Sequence, residues 1–241
     1  MKTRPNVPSI LIFTLLVSFS LRPFSARAQE NSRSDIPNFK MNGNVALLTN
    51  FVEHGLTQTD GDPSLQGAFG FNFGPQFKMG VWGSNVNYNS TEHFLLKANA
   101  ELRVILSSWT DFRLGYNSNH YFKTTTRNGN TTYFVITSHG FRIRYEKETN
   151  WNGSDSSSTY YSFGKSFDLS QSWKWDLEAG YTMLKDVPNM ENYFDARMSF
   201  FYKSDSNNIT YQLSATGTSI PSQFSNGQGN TFVYAGASTS F

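Results

Sequence analysis

Residues 173–183 read W-K-W-D-L-E-A-G-Y-T-M, with Trp173, Trp175, Leu177, Ala179, Tyr181 and Met183 at odd positions and Lys174, Asp176, Glu178 and Thr182 at even ones. Successive side chains of a strand point to opposite faces, so this period of two builds a ribbon with one apolar and one charged face. A helix would instead repeat its apolar positions at three and four. The same alternation recurs along most of the chain, and the sequence therefore predicts an all-β fold.

The two ends fit an exported protein. Lys2 and Arg4 precede an apolar run from Ile10 to Leu21, and Ala26-Arg27-Ala28 supplies the small-x-small pattern read by a signal peptidase. A run that short does not span a membrane stably and reads as a signal peptide over 1–28. A polar, flexible periplasmic lead-in over 29–38 and one barrel domain over 39–241 complete the expected organisation. Cleavage after Ala28 removes Lys2, Arg4, Arg22 and Arg27 but no acid, taking the formal charge from +2 to −2. A basic nucleic-acid binder loses its support with those four charges. There are no cysteines, which excludes disulfides, thiolate metal sites and a cysteine nucleophile. With a mean hydropathy of −0.46 and no second apolar run long enough for a membrane helix, any crossing of a bilayer is made by strands.

Twelve candidate strands follow: 39–51, 65–73, 77–87, 93–105, 110–122, 131–137, 141–149, 159–169, 173–184, 193–203, 209–218 and 231–241. The sixth has ambiguous facing and could merge with the seventh. Connectors starting at Gly74, Ser138, Ser170 and Asp205 are short, while those starting at Glu53, Trp151, Lys185 and Pro221 are longer and polar. Outer-membrane barrels show this asymmetry, and an even strand count returns both ends to the periplasmic side. Alternation alone leaves open which face is inside, since a soluble lipocalin-like barrel or a β-sandwich gives the same stripes. Strand lengths near the roughly nine to eleven residues of a tilted span, the number of strands, and the final Y-A-G-A-S-T-S-F ending in Phe241 favour the membrane. The expectation is a transmembrane antiparallel up-and-down β-barrel of about 12 strands. Its place would be the outer membrane of a Gram-negative bacterium, in lipid, with Phe241 read by the assembly machinery.

Beginning at Asn44, N-V-A-L-L-T-N-F-V-E-H-G-L-T-Q-T-D-G-D-P-S-L-Q-G is followed by V-W-G-S-N-V at 81–86. This resembles the TorF-type putative porin family, whose opening pairs G-[IL]-[ST]-Q-[ST]-D-G-D-P-x-[LV]-Q-G with a downstream W-G-S-N-V-[DN]-[FY]. Gly55, Gln58, Asp60, Gly61, Asp62, Pro63, Gln66 and Gly67 carry the first motif, and Trp82 to Tyr88 carry the second. Glu53-His54 departs from the family, where an aromatic and an arginine are more usual before the glycine. The likeness is strong over the first quarter of the mature chain and implies an outer-membrane barrel of porin type without implying a substrate.

In such a barrel the charged faces form the lumen. Lys97, Glu101 and Arg103 from the fourth strand, Arg113 from the fifth, Arg142 and Arg144 from the seventh, Asp176 and Glu178 from the ninth, and Asp195 and Arg197 from the tenth are the candidate pore-lining residues. Turning a basic residue to lipid near the midplane costs roughly 2–4 kcal/mol, which compels the inward assignment. Seven bases, with Lys174, face six acids, with Glu146 and Glu148, so no ion preference can be read. Twelve strands fall between the filled interior of eight and the aqueous channel of sixteen. A narrow path for ions or small polar solutes competes with a salt-bridged plug.

Two further classes compete. An enzyme needs a histidine beside a serine or an acid at the rim, and Glu53-His54 beside Asp60 and Asp62 is the best cluster, although rim acids are usually plain loop residues. A surface-binding barrel calls for long external loops, and the longest here, 53–64, is about a dozen residues, within the range of ordinary connections. Asp60-Gly61-Asp62 offers two carboxylates to a cation, too few for an oxygen shell, and reads better as a turn. Trp82, Trp109, Trp151, Trp173 and Trp175 fit interfacial girdles. No phosphate loop, haem motif or zinc spacing is present, so no cofactor is expected.

Overall fold

The computed structural model describes residues 39–88 and 92–241. Fourteen strands occur in chain order: β1 (Phe39–Leu48), β2 (Val52–Glu53), β3 (Leu56–Thr57), β4 (Ser64–Phe73), β5 (Phe77–Tyr88), β6 (Glu92–Ile105), β7 (Thr110–Phe122), β8 (Gly129–Ser138), β9 (Phe141–Glu148), β10 (Ser158–Asp168), β11 (Trp173–Leu184), β12 (Tyr193–Lys203), β13 (Ile209–Thr218) and β14 (Phe232–Ser240). All but β2 and β3 form one closed barrel in which each strand pairs antiparallel with its sequence neighbour, β1 skips to β4, and β14 returns to β1. The twelve-stranded up-and-down barrel expected from alternation is therefore present. The sixth expected strand stands as a separate element, β8, paired with β7 and β9.

The structure answers the question alternation left open. Val45, Leu47, Leu65, Phe163, Phe194, Leu213 and Val233 are among many large apolar side chains left exposed, from 43% to 72% of their surface. Paired residues in a ladder share a face, and the register aligns such residues across neighbours, as in Leu102 with Leu114 or Tyr202 with Tyr211. A continuous apolar belt of this kind is not left to water by a soluble monomer, and it matches the lipid-facing band of a membrane barrel. Buried side chains are instead largely polar, including Ser84, Glu146, Asp176, Asp195, Ser199 and Ser214. Among the described residues no helix is long and apolar enough to cross a membrane.

Two departures follow from local chemistry. The first strand ends at Leu48, not at residue 51, because Thr49 and Asn50 bend the chain. The segment beyond it pairs with itself as β2 and β3 rather than with the barrel. The expected leader 1–28 and lead-in 29–38 lie outside the described residues.

Candidate functional site

The connection between β1 and β4 is a hairpin folded into the lumen. Its tip is His54-Gly55, with φ of 48° and 77°, between Glu53 and Leu56, which face each other across the two-residue ladder. Two successive residues with positive φ make the turn that matches strand twist, and a glycine in the second place removes the steric penalty. The base closes with a second turn of the same kind. Asp60 and Gly61 have φ of 56° and 86°, and the Asp62 N–H donates to the Thr59 carbonyl at 3.0 Å. The turn reading of Asp60-Gly61-Asp62 holds, and Asp62 Oδ2 accepts from Asn87 Nδ2 at 3.2 Å.

Buried polar side chains fix that base. Asn50 Oδ1 accepts from the hydroxyls of Thr57 at 2.6 Å and Thr59 at 3.1 Å, and the Phe51 N–H donates to Thr59 Oγ1 at 3.2 Å. The W-G-S-N-V segment on β5 receives the hairpin. Asn85 donates to the Pro63 carbonyl at 2.9 Å and accepts from the Leu65 N–H at 2.7 Å. The hydroxyls of Ser64 and Ser84 lie 2.8 Å apart, and Gln66 donates to Ser64 Oγ at 3.3 Å. Phe51 packs edge-on against Trp82 and joins Val86 and Leu95 in a small apolar cluster. The two sequence motifs are thus one spatial unit, a hairpin and its seat.

At the tip, Lys97 Nζ donates to Glu53 Oε1 at 2.7 Å. His54 Nε2 lies 2.7 Å from Glu146 Oε2, and its ring stacks on Tyr160 with centroids 3.8 Å apart. Gly55 is so close to β12 and β13 that a side chain there would stand 2.7 Å from Asp195 Cβ and 2.8 Å from Thr218 Cγ2. Leu56 is buried with Trp151, Tyr193 and Phe224, and the Thr57 N–H donates to the Gln228 carbonyl at 3.0 Å. The hairpin consequently reaches from β5 and β6 across to β12 and β13. Burial pushes the His54 imidazole down, but the charge and hydrogen bond of Glu146, with Glu53 and Asp195, lift it above its ordinary value. Burial likewise pushes Glu53 up, and Lys97 and His54 outweigh it and hold the carboxyl below the usual range.

All ten residues read as pore-lining lie on the inward face, and most are paired. Arg142 Nη2 sits 3.1 Å from Asp176 and 2.5 Å from Glu178, while Arg197 Nη2 lies 2.9 Å from Glu178. Ser166 also hydrogen bonds to Asp176. Arg144 reaches Glu146 at 2.9 Å. Toward the end that carries the short turns, Arg103 and Arg113 share Asp111 at 2.8 and 3.3 Å, and Glu101 accepts from the Tyr133 hydroxyl at 2.8 Å. Asp195 faces the hairpin tip and Tyr160.

Polar cavities succeed one another along this interior. One of about 210 Å³ lies on the long-loop side, lined by Gln58, Asn117, Asn119, Glu148 and Trp151. A second of about 220 Å³ lies between the tip and Glu178, Asp195 and Arg197, and shares Glu53, His54, Arg144 and Tyr160 with the first. A third of about 290 Å³ shares Lys97, Asn117 and Arg144 with the first. It meets a fourth of about 490 Å³, at the short-turn mouth, through Lys78 and Glu101.

The family described as "Bacterial protein of unknown function (Gcw_chp)" matches residues 32–239. The chain belongs to the Gcw_chp family. No curated protein matches it. Among solved structures it is similar to the KdgM porin, with TM-score 0.55 and 10% identity, covering 83% of this chain and 98% of that one. It is also similar to the "KdgM porin in complex with disordered oligogalacturonate", with TM-score 0.56, 10% identity and the same coverage. The NanC porin gives TM-score 0.56 at 8% identity, covering 83% of this chain and 98% of that one. At such identities the likeness is one of fold, the fold of outer-membrane porins.

In this Gcw_chp barrel several sequence expectations are corrected. Glu53 and His54 do not stand at a solvated rim, since their hairpin is tied into the wall by Lys97 and Glu146. Trp151 is buried at 7% exposure and Trp82 packs on Phe51 inside the barrel. Neither belongs to an interfacial girdle, whereas Trp109 and Trp173 are 63% and 49% exposed. Leu95, fully buried on the inward face, and the amides Asn117 and Asn119 were not expected at the site. Their signal, polar residues alternating with Tyr116, Ser118 and His120 on β7, is too weak to single them out.

Proposed function

We propose that this protein is a porin-like channel of the outer membrane that passes ions or small polar solutes through a lumen narrowed by the inserted hairpin. The observation that carries this reading is the series of polar cavities sharing wall residues from the long-loop side to the short-turn end, inside a barrel whose outer surface is apolar. Lys97, Glu101, Arg103, Arg113, Arg142, Arg144, Asp176, Glu178, Asp195 and Arg197 are its pore-lining residues. The TorF-type motifs at 55–67 and 82–88 supply the constriction, and the segment 1–28 serves export. A polyanion such as the oligogalacturonate bound to the KdgM porin would call for a track of uncompensated bases. Here Arg142, Arg144 and Arg197 are each held by carboxylates, which favours small solutes.

Reconstitution of the purified, folded barrel into planar bilayers tests this. The expected result is a small, ohmic single-channel conductance. A correctly folded barrel that carries no current overturns the reading in favour of a plugged one.

A further inference from the structure

We infer that the cavity between the hairpin and the long-loop ends of β7, β8 and β9 is a binding site for a small solute bearing an ammonium group, with Glu148 as its counter-ion. This deepens the channel reading and rests on it for the solute's passage. Of the cavity's carboxylates, Glu53 is engaged by Lys97, and Glu146 by His54 and Arg144. Glu148 lines the same cavity, and among the described residues no hydrogen bond or ion pair reaches its carboxylate. Burial beside Glu53 and Glu146 disfavours the ionised carboxylate, so a cation in the space in front of it is what would hold Glu148 as an anion.

A second, independent observation points to the same need. Asn119 is 4% exposed. Its Nδ2 donates to Thr131 Oγ1 at 3.0 Å, but its Oδ1 has no partner and the residue lines the cavity. Buried amide oxygens are rarely left without a donor. Both acceptors adjoin Thr131: Asn119 donates to its hydroxyl, while Asn117 faces Thr131 across β7 and β8 and Thr131 faces Glu148 across β8 and β9. Glu148 and Asn117 thus flank Thr131 on one rung, with neighbouring strands about 4.8 Å apart. Asn119 stands one inward position from Asn117. A carboxylate and a carbonyl oxygen that both lack donors and line one cavity suit a group with several N–H donors and a positive charge. An ammonium supplies three donors and no acceptor, and Trp151 contributes to the same wall. An anion would meet the wrong charge.

The test uses the full folded barrel in detergent micelles and three probes that share a three-carbon chain: propylammonium, propan-1-ol and propionate. Because Trp151 lines the cavity, intrinsic fluorescence and calorimetry both report occupancy. Propylammonium is expected to bind saturably, with affinity reduced on the order of tenfold in Glu148→Gln and by a smaller factor in Asn119→Leu. The fluorescence change, but not the heat, should vanish in Trp151→Phe. Glu148→Asp, which keeps the charge, is expected to retain part of the affinity. Absence of binding, equal binding of propionate, or unaltered affinity in Glu148→Gln overturns the proposal. Bilayer recordings separate it from the channel reading. A conducting barrel without ammonium binding loses the site and keeps the channel, whereas a silent barrel that binds propylammonium keeps the site and loses the channel.

Discussion

His54 is a residue whose meaning changes once its neighbours are known. The sequence places it in a loop beside an acid, a pattern shared by catalytic and idle histidines alike. Its partners, Glu146 from β9 and Tyr160 from β10, lie about a hundred residues away, and no local pattern announces them. Because the folded imidazole titrates above its ordinary 6.5, the docking it provides is fully present below that value and is lost as pH rises through the folded pKa. Glu53 has the opposite sign. Held below 4.5, it contributes fully above that value and loses its contribution as pH falls through its folded pKa. The hairpin should therefore sit most firmly between about 4.5 and 6.5 and loosen on either side. Amide exchange of residues 52–57, corrected for intrinsic rates, should be slowest in that window. His54→Gln should abolish the alkaline limb and leave the acid one. An unchanged alkaline limb in that variant would detach the effect from the imidazole.

At the scale of elements, the barrel strands were legible because each has one face in lipid and one in the lumen, which imposes the period of two that opens at Trp173. The hairpin was not legible as an insert, since β2 and β3 are two residues each and leave no periodicity. What the sequence did carry was a pair of motifs without a stated purpose. The structure supplies the purpose by joining Asn50, Thr57 and Thr59 beneath the hairpin and Asn85 and Trp82 beside it. Thr59 is fully buried and both donates and accepts through one hydroxyl. Thr59→Val keeps the shape and removes both bonds, leaving Asn50 Oδ1 short of one donor and the Phe51 N–H unpaired. The expected cost is about 1–3 kcal/mol, read as a lower urea midpoint for the barrel folded into lipid vesicles. The same change at Thr132, exposed on β8, should stay within about 0.5 kcal/mol. Equal effects at the two sites would show that the hairpin base contributes nothing beyond propensity.

Across the whole molecule the usual order of a globular protein is inverted, with the largest apolar surface outside and the ionised groups within. Closure also brings together strands that are distant in sequence. β1 meets β14 only from Asn44 opposite Ser240 to Leu48 opposite Gly236, extended by two backbone hydrogen bonds between Gly43 and Phe241 of 2.8 and 3.0 Å. Inside that wall six of the seven bases recognised in the sequence, all but Lys174, sit against acids: Lys97 with Glu53, Arg103 and Arg113 with Asp111, Arg144 with Glu146, and Arg142 and Arg197 with Asp176 and Glu178. Seven bases against six acids could be counted beforehand, but their pairing depends on register between strands and could not. For the proposed channel the expected consequence is weak intrinsic selectivity, because compensated charges leave little fixed field to concentrate one ion over another. Removing a single member should expose it. Arg142→Gln strips the guanidinium shared by Asp176 and Glu178 and leaves Arg197 to compensate both. The reversal potential under a salt gradient should then move toward cations. The shift should shrink as ionic strength rises from about 0.1 M to 1 M and the screening length falls from about 10 Å to about 3 Å. Asp176→Asn should move it the other way. A folded, conducting Arg142→Gln barrel with an unaltered reversal potential would place the selective constriction away from β9, β11 and β12 and leave the hairpin tip as the element that sets it.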